Sequence, residues 1–207
     1  MLKTLAKLAA ALAVSATLAT PALAASDTVK LMRDANHTVN NLRHDPAFGT
    51  ARTLLANARA VYIVPKLVKG GFIFGAEGGD GVLLKRTRTG WSNPRFYGMG
   101  SASFGFQAGL EQAELVFIIN SDRALRGIEG GNFKIGAGAG LTVVTLSGGA
   151  EGATTARGGD MTIWTSATGA YGGLTLNGSV IKADDDENAD FKPGPASEEL
   201  RHNLGSL

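Results

Sequence analysis

The chain has 207 residues, with 20 Lys and Arg against 18 Asp and Glu, 29 Gly and no Cys. The absence of cysteine excludes disulfide bonds and a lipid-modified cysteine. The length suffices for one domain with its own core, and the near-balance of charge counts against nucleic-acid binding. The glycines fall within apolar alternating runs, which favours curved or closely packed β-structure over disorder.

The first 24 residues have the pattern of a secretory signal peptide. Lys3 and Lys7 supply positive charge, an apolar run extends from Leu8 to Thr20, and Ala22-Leu23-Ala24 matches an A-x-A cleavage signal. The apolar run is too short to span a bilayer comfortably. We therefore expect cleavage near Ala24 and a periplasmic or secreted protein.

Two helices are expected next. Ser26-Asp27 can cap a helix from Thr28 to about Leu42, and Asp45-Pro46 can open a second helix that ends near Asn57. Strands follow. Val61 to Val64 is a short apolar strand that Pro65 should stop.

The segment after Pro65 predicts a β-hairpin. Strands from Gly71 to Ala76 and from Gly81 to Arg86 flank Glu77-Gly78-Gly79-Asp80, which has the composition of a turn. Thr87 to Gly90 forms a second predicted turn, which leads to Trp91. The apolar residues from Leu115 to Asn120 predict a buried strand.

The second half of the chain should add one short helix and several glycine-rich strands. Ser121-Asp122 can cap a helical turn through Ile128. Strands are expected within residues 131–147 and 161–183, and the segment between them is expected to be a long loop.

These elements predict an α+β domain with N-terminal helices packed on a strongly curved, mostly antiparallel, glycine-rich sheet or partly closed barrel. We expect residues 25–192 to form a single domain. Pro193-Gly194-Pro195 should end it, and residues 193–207 are expected to form a frayed C-terminal tail.

A basic and aromatic segment is the candidate binding site. Between Arg59 and Arg95 there are seven basic side chains and only two acidic ones, beside several aromatic residues. Such a surface suits anionic, partly apolar ligands such as phospholipid headgroups. A hairpin with solvated lysines is the alternative. The predicted lipid-binding residues are Lys66, Lys69, Gly70, Gly71, Lys85, Arg86 and Arg88.

No catalytic, metal or cofactor site is predicted. His37, His44 and His202 lie in the N-terminal helices and the C-terminal segment, away from the glycine-rich strands, and form no recognisable catalytic arrangement. Gly136 to Gly140 lacks the strand-turn-helix context of a dinucleotide motif. The acidic run from Asp184 to Glu187 could hold calcium, but its spacing fits a solvated acidic edge better.

Several ordered motifs resemble the SYLF domain, a lipid-binding domain of yeast actin-patch proteins and of SH3-containing animal relatives that also occurs in exported bacterial proteins. The similar segments cover about Phe48 to Phe191. They are Ala60–Pro65, Lys69–Gly75, Gly79–Leu84, Gly90–Tyr97, Ser103–Gly109, Phe133–Gly136 and Tyr171–Gly178. At the end of the family pattern, Asn188 and Phe191 are present, but Lys192-Pro193 follows where the family has glycine.

The resemblance implies phospholipid binding, with phosphoinositides favoured in eukaryotic members, and no enzymatic activity. We therefore expect a non-enzymatic, exported domain that binds anionic, phosphoinositide-like headgroups or an anionic membrane surface. Actin is not an expected partner of an exported bacterial-type chain, and neither is nucleic acid. The alternative is a structural or protein-interaction module of the cell envelope without a lipid ligand.

Overall fold

The structure is a computed structural model that describes residues 20–71, 74–104, 110–135, 142–147, 159–166 and 178–207. Its helices are α1 (Thr20–His44), α2 (Phe48–Ala56), α3 (Asp122–Glu129), α4 (Asp185–Asp190) and α5 (Pro195–Gly205). Its strands are β1 (Ala60–Gly71), β2 (Phe74–Thr87), β3 (Gly90–Trp91), β4 (Arg95–Phe104), β5 (Leu110–Ile119), β6 (Asn132–Lys134), β7 (Val143–Ser147), β8 (Met161–Thr165) and β9 (Val180–Ala183).

The described strands form one curled sheet in the order β6-β9-β4-β2-β1-β5-β8-β7, with β3 paired to β2. Neighbouring strands are antiparallel except β7 and β8, which run parallel. The sheet forms a half-barrel with the N-terminal helices packed against it, which confirms the predicted α+β class.

Strand β1 lies at the centre of the sheet and is buried on both faces. Val61 and Ile63 belong to the hydrophobic cluster that includes α1, α2 and α5, whereas Tyr62 and Val64 belong to the cluster on the opposite face of the sheet. Because successive side chains of a strand alternate between faces, a strand covered on both sides needs an unbroken apolar run. This explains the composition of residues 60–64.

Helix α1 supplies most of the helical layer, and its apolar positions recur at helical spacing. Met32, Ala35, Val39 and Leu42 are all buried against the sheet. The predicted helix is confirmed, but it begins at Thr20, so Ser26 and Asp27 lie inside it instead of capping it. Among the described residues, no helix has the length and apolar character required to cross a membrane.

The C-terminal residues are part of this helical layer, so the prediction of a frayed tail is wrong. Helix α5 buries Leu200 and Leu204 in the same cluster as α1. Asn203 donates to Asn36 Oδ1 at 2.7 Å, and Arg43 donates to Asn203 Oδ1 at 2.7 Å. The polar side chains that suggested solvent exposure in fact join two helices.

Pro65 does not stop β1, contrary to the prediction. The strand continues to Gly71, and its register with β2 shifts between Ile63 and Val68, where β1 carries one extra residue. The register with β5 shifts at the same place, between Val64 and Leu67. A β-bulge tolerates a residue that lacks a backbone N–H, so proline marks the bulge rather than the end of the strand.

The predicted turn at Glu77 to Asp80 is also wrong, because these residues lie within β2. The register pairs Gly71 with Gly75, so the hairpin connection between β1 and β2 lies between these two residues, and residues 72 and 73 are outside the described residues. The glycines of β2 serve close packing instead. A Cβ on Gly79 would lie 2.4 Å from the carbonyl oxygen of Lys66, and one on Gly81 would lie 2.5 Å from that of Ile63.

Other local predictions are confirmed. Thr87 to Gly90 is a turn in which Gly90 has a φ of 138°, and Trp91 then pairs with Arg86. Ser121 caps α3 by accepting a hydrogen bond from the backbone N–H of Ala124 at 3.2 Å. The predicted strand at residues 115–120 matches the second half of β5, which begins at Leu110 and ends at Ile119. The run from Gly136 to Gly140 and most of the predicted loop at 148–160 lie outside the described residues.

The residues at the end of the SYLF-like pattern pack against the start of β4. The side-chain amide of Asn188 accepts from the backbone N–H of Phe96 at 2.9 Å and donates to its carbonyl at 2.8 Å, as a neighbouring strand would. Phe191 packs edge-on against the Phe96 ring, with 5.1 Å between ring centroids. These two contacts hold α4 to β4 although the residue directly after Phe191 is lysine and not glycine.

We predict that Gly79→Ala destabilises the fold by about 1–3 kcal/mol, because its Cβ would overlap the backbone of the β1 bulge. Gly49→Ala in α2 is the matched control, since a Cβ there meets nothing within 4 Å and alanine favours a helix. Urea unfolding measures both variants. A Gly79→Ala protein as stable as wild type would contradict the packing described for the bulge.

Candidate functional site: an arginine cleft

Three arginines meet at one end of the β1–β2 pair. Arg59, Arg86 and Arg88 line an open cavity of about 640 Å³, which we call the arginine cleft. Its other lining residues come from the end of α2, the start of β1, the β2–β3 turn and the end of β5. They are Ala56, Asn57, Ala58, Thr87, Gly90 and Asn120.

Main-chain pairing fixes the position of Arg59. Its backbone N–H donates to the carbonyl of Ile119 at 2.7 Å, and its carbonyl accepts from the N–H of Arg86 at 2.8 Å. The Arg59 side chain forms an ion pair with Asp122, with 3.3 Å between Nε and Oδ1. Both side chains of this pair are more than half exposed to solvent.

Arg86 is held by two contacts. Its Nη2 donates to the carbonyl of Leu55 at 2.6 Å, so it satisfies an acceptor at the C-terminal end of α2. Its guanidinium carbon lies 3.8 Å from the centroid of the Trp91 ring, a cation–π contact. Partial desolvation lowers the pKa of Arg86. Arg86 therefore contributes to the fold and also presents charge to the cleft.

Arg88 differs from the other two. It lies in the exposed turn between β2 and β3, and it has no hydrogen-bond or ion-pair partner among the residues that the structure describes. The cleft thus combines one free arginine, one stacked arginine and one arginine paired to a carboxylate. Guanidinium groups in this arrangement can bind the oxygens of a phosphate, often through two parallel hydrogen bonds each.

The predicted lipid-binding residues do not form a single site. Lys69 lies nine positions along β1 from Ala60, the residue in register with Lys85, so the two ends are roughly 30 Å apart. Lys66, Lys69, Gly70 and Gly71 lie near the hairpin turn, whereas Lys85, Arg86 and Arg88 lie at the opposite end. Of the predicted set, only Arg86 and Arg88 line the arginine cleft.

Acidic residues occupy several positions near this end of the hairpin. Lys69 is in register with Glu77 on β2 and with Glu111 on β5. Gly70 is flanked by strands on both sides, being in register with Ala76 and Leu110. Lys66 lines a second cavity, of about 570 Å³, with Lys30 and four acidic residues: Asp27, Asp34, Asp80 and Glu187. Burial and the nearby carboxylates of Asp184, Asp80 and Asp27 raise the pKa of Glu187.

Lys85 is directed away from the cleft, because neighbouring residues of a strand face opposite sides of the sheet. Its ammonium group forms an ion pair with Glu129 at the end of α3, at 2.8 Å.

The sequence-based prediction of the site did not include Arg59, Asn57 and Asn120, which line the cleft. Arg59 was visible as the first base of the basic segment, but the two asparagines carried no signal.

The cleft has no histidine and no metal-binding group among its described residues. The three histidines lie on α1 and α5, and none lines the cleft. Within the described ranges, no group of three or more His, Asp and Glu side chains is arranged to hold a metal ion.

Asp160 anchors the loop that forms one wall of the cleft. Its main-chain carbonyl accepts from the N–H groups of Asn120 and Ser121, at 2.9 and 3.3 Å. Its carboxylate accepts from Arg123 and from the backbone N–H of Thr142, both at 3.0 Å. Hydrogen bonds to Ser121, Thr142 and Arg123 lower the pKa of the Asp160 carboxyl group.

A curled sheet backed by helices, with a cationic cleft at one end of its central hairpin, defines the molecule as a small α+β domain. The family model described as Ysc84, Las17-binding protein actin regulator, matches residues 100–195. The chain belongs to this family, the SYLF domain family, as its motifs predicted.

Relatives in animals and yeast support this assignment. The SH3 domain-containing YSC84-like protein 1 of Bos taurus is 31% identical over 141 residues, which are 67% of this chain and 41% of that protein. Protein YSC84 of Saccharomyces cerevisiae is 31% identical over 143 residues, which are 67% of this chain and 30% of the yeast protein.

A second yeast protein, LAS seventeen-binding protein 3, is 29% identical over 133 residues, which are 62% of this chain and 29% of that protein. The chain thus spans about two fifths of the length of the bovine relative and less than a third of the yeast relatives. No solved structure matches the chain significantly.

We predict that Asp160→Asn lowers stability at neutral pH, and that the difference from wild type shrinks in acid. The folded pKa of Asp160 lies below its unfolded value of about 3.8, so its contribution is complete above that value and is lost as the pH falls towards the folded pKa. Urea unfolding between pH 7 and pH 3 measures this. Asp190→Asn, at an exposed position in α4, is the control, and an equal pH response of both variants would contradict the prediction.

Proposed function

We propose that this chain is a non-enzymatic SYLF domain whose arginine cleft binds the phosphate group of anionic phospholipid headgroups. The observation that carries the proposal is the convergence of Arg59, Arg86 and Arg88 on one open cavity. Of these three arginines, Arg59 pairs with the carboxylate of Asp122, which does not itself line the cavity, so the cleft has an excess of positive charge. The resemblance to the SYLF domain makes a phospholipid the expected source of the phosphate.

The composition of the cleft supports binding rather than catalysis. Its lining residues include no carboxylate and no imidazole that could act as a general base. Arginine remains protonated at neutral pH, so it serves to hold an anion rather than to transfer a proton. The described lining therefore fits a domain that recognises its ligand and leaves it unchanged.

We predict that the protein binds anionic vesicles at low salt through this cleft and does not bind neutral phosphatidylcholine vesicles. A basic side chain near an anionic membrane contributes about 1 kcal/mol, so Arg88→Glu should weaken vesicle binding at least fivefold. Arg33→Glu makes the same charge change at an exposed position of α1 that does not line the cleft, and it should change binding less than twofold. Co-sedimentation across a salt series measures the three proteins.

Two outcomes would contradict this proposal in different ways. Equal weakening by Arg33→Glu and Arg88→Glu would mean that net charge, and not the cleft, drives binding. Lys66→Glu tests the hairpin end of the sequence-predicted site, and a larger loss with that variant would move the site there. Absence of binding to every vesicle would favour a protein-interaction module of the cell envelope instead.

The relatives' names supply the observation behind that second candidate. The family description refers to Las17 binding, and one yeast relative is named LAS seventeen-binding protein 3. Those properties belong to relatives that are longer than this chain, and other parts of them can carry the interaction. We keep the expectation that an exported bacterial-type chain has no actin partner.

Export is also part of the proposal. In the part of α1 whose side chains the structure describes, from Asp27 onward, the first buried residue is Thr28, so removal of residues 1–24 would leave every buried contact described for this helix in the mature chain. We predict that the protein expressed in a bacterial host with a Sec pathway is recovered from the periplasm or medium with a mass that corresponds to cleavage near Ala24. Intact-mass spectrometry measures this, and full-length protein found only in the cytoplasm would contradict it.

A further inference from the structure

The ion pair between Arg59 and Asp122 places an internal anion at the arginine cleft. Asp122 is the first residue of α3, and its carboxylate oxygen lies 3.3 Å from Arg59 Nε. The side chains are 58% and 60% exposed, so water reaches both partners. An exposed pair of this kind contributes little to stability, and a stronger anion can displace the carboxylate.

The backbone that carries this carboxylate is fixed beside the cleft. Ser121 caps α3 through the N–H of Ala124, and the backbone of residues 120 and 121 is bound to the carbonyl of Asp160. The start of α3 is therefore fixed from both sides. A ligand that takes Arg59 leaves Asp122 beside it as a negative charge without its partner.

We propose that Asp122 is a specificity-determining residue, an internal competitor that makes the arginine cleft favour phosphomonoesters over phosphodiesters. This inference rests on the proposed function. A phosphodiester carries one negative charge, so exchanging Asp122 for it at Arg59 replaces one anion by another and adds repulsion. A phosphomonoester carries up to two charges near neutral pH, so it keeps a net attraction after the exchange.

The three arginines divide this task. Arg88 has no internal partner, so either class of ligand can use it. Arg86 already donates to Leu55 and stacks on Trp91, so it adds charge but has fewer free N–H groups. Of the three arginines, Arg59 is the one for which a carboxylate of the protein, that of Asp122, competes with the ligand. Discrimination between the two phosphate classes is therefore expected at Arg59.

The test compares vesicles that contain phosphatidic acid, a phosphomonoester, with vesicles that contain phosphatidylglycerol, a phosphodiester, matched for surface potential. We expect wild type to bind phosphatidic acid about fivefold or more tightly. Asp122→Asn should strengthen binding to phosphatidylglycerol about threefold to fivefold and should change binding to phosphatidic acid less. The ratio of the affinity for phosphatidic acid to the affinity for phosphatidylglycerol should therefore decrease. Glycerol 3-phosphate, added as a soluble competitor, distinguishes recognition of the free phosphomonoester from recognition that requires a membrane.

Glu129→Gln is the matched control. It removes the same charge from the same helix, but Glu129 pairs with Lys85, which does not line the cleft. We expect this variant to leave the ratio between the two lipids as in wild type. Because Asp122 lies in the first turn of α3, urea unfolding of Asp122→Asn checks its fold, and Asp122→Ser provides a second variant.

The outcomes separate this inference from the proposed function. If wild type binds both lipids equally, or if Glu129→Gln narrows the ratio as much as Asp122→Asn does, the role of Asp122 is overturned while headgroup binding stands. If wild type binds neither vesicle, the proposed function is overturned and this inference with it.

Discussion

The curvature of the sheet depends on a close approach between two backbones, where the bulge of β1 lies against glycines of β2. The carbonyl oxygens of Ile63 and Lys66 occupy the space that a Cβ on Gly81 or Gly79 would fill. A bulge increases the local twist of a strand pair, and glycine lets the partner strand follow it. The central hairpin can therefore bend, and the strands on either side bend with it.

The domain has two hydrophobic clusters, one on each face of this sheet. On one face, the Tyr62 ring packs on Phe117 with 5.4 Å between centroids, and its hydroxyl donates to the carbonyl of Tyr97 at 3.1 Å. Burial raises the pKa of Tyr62 well above its usual range, so the hydroxyl stays protonated as a donor. On the opposite face, α1, α2 and α5 cover the same strands. A strand buried on both sides leaves little room for polar groups, so charge collects at the ends of the hairpin.

Most local elements could be predicted from the sequence because their signals act over a few residues. The serine cap of α3 and the turn before Trp91 are of this kind, since each needs only its own side chain or a glycine with positive φ. The prediction of a turn at Glu77 to Asp80 was wrong for a physical reason. A run of glycines suits a turn and suits the approach of another backbone equally well, and only the partner strand decides between them.

The C-terminal helix and the composition of the cleft depend on contacts that are distant in sequence. Leu200 and Leu204 are two apolar positions in a polar segment after Pro193-Gly194-Pro195, and their burial requires the surface that α1 provides. Likewise, a count of basic residues between Arg59 and Arg95 could not separate those at one end of the hairpin from those at the other. Alternation along β2 directs Lys85 to Glu129 and Arg86 to Trp91, although the two residues are adjacent.

The charge of a surface is therefore a poor guide to its ligand until the internal partners of each side chain are known. Near the hairpin turn, Lys66 shares a cavity with four acidic residues, so a phosphate there would meet repulsion as well as attraction. At the arginine cleft, three arginines line the cavity, and Arg59 is the one that pairs with a carboxylate, that of Asp122, in the described part of the chain. An anion gains most where the protein has left positive charge unpaired, which is why the cleft, and not the more lysine-rich hairpin end, is the stronger candidate for headgroup recognition.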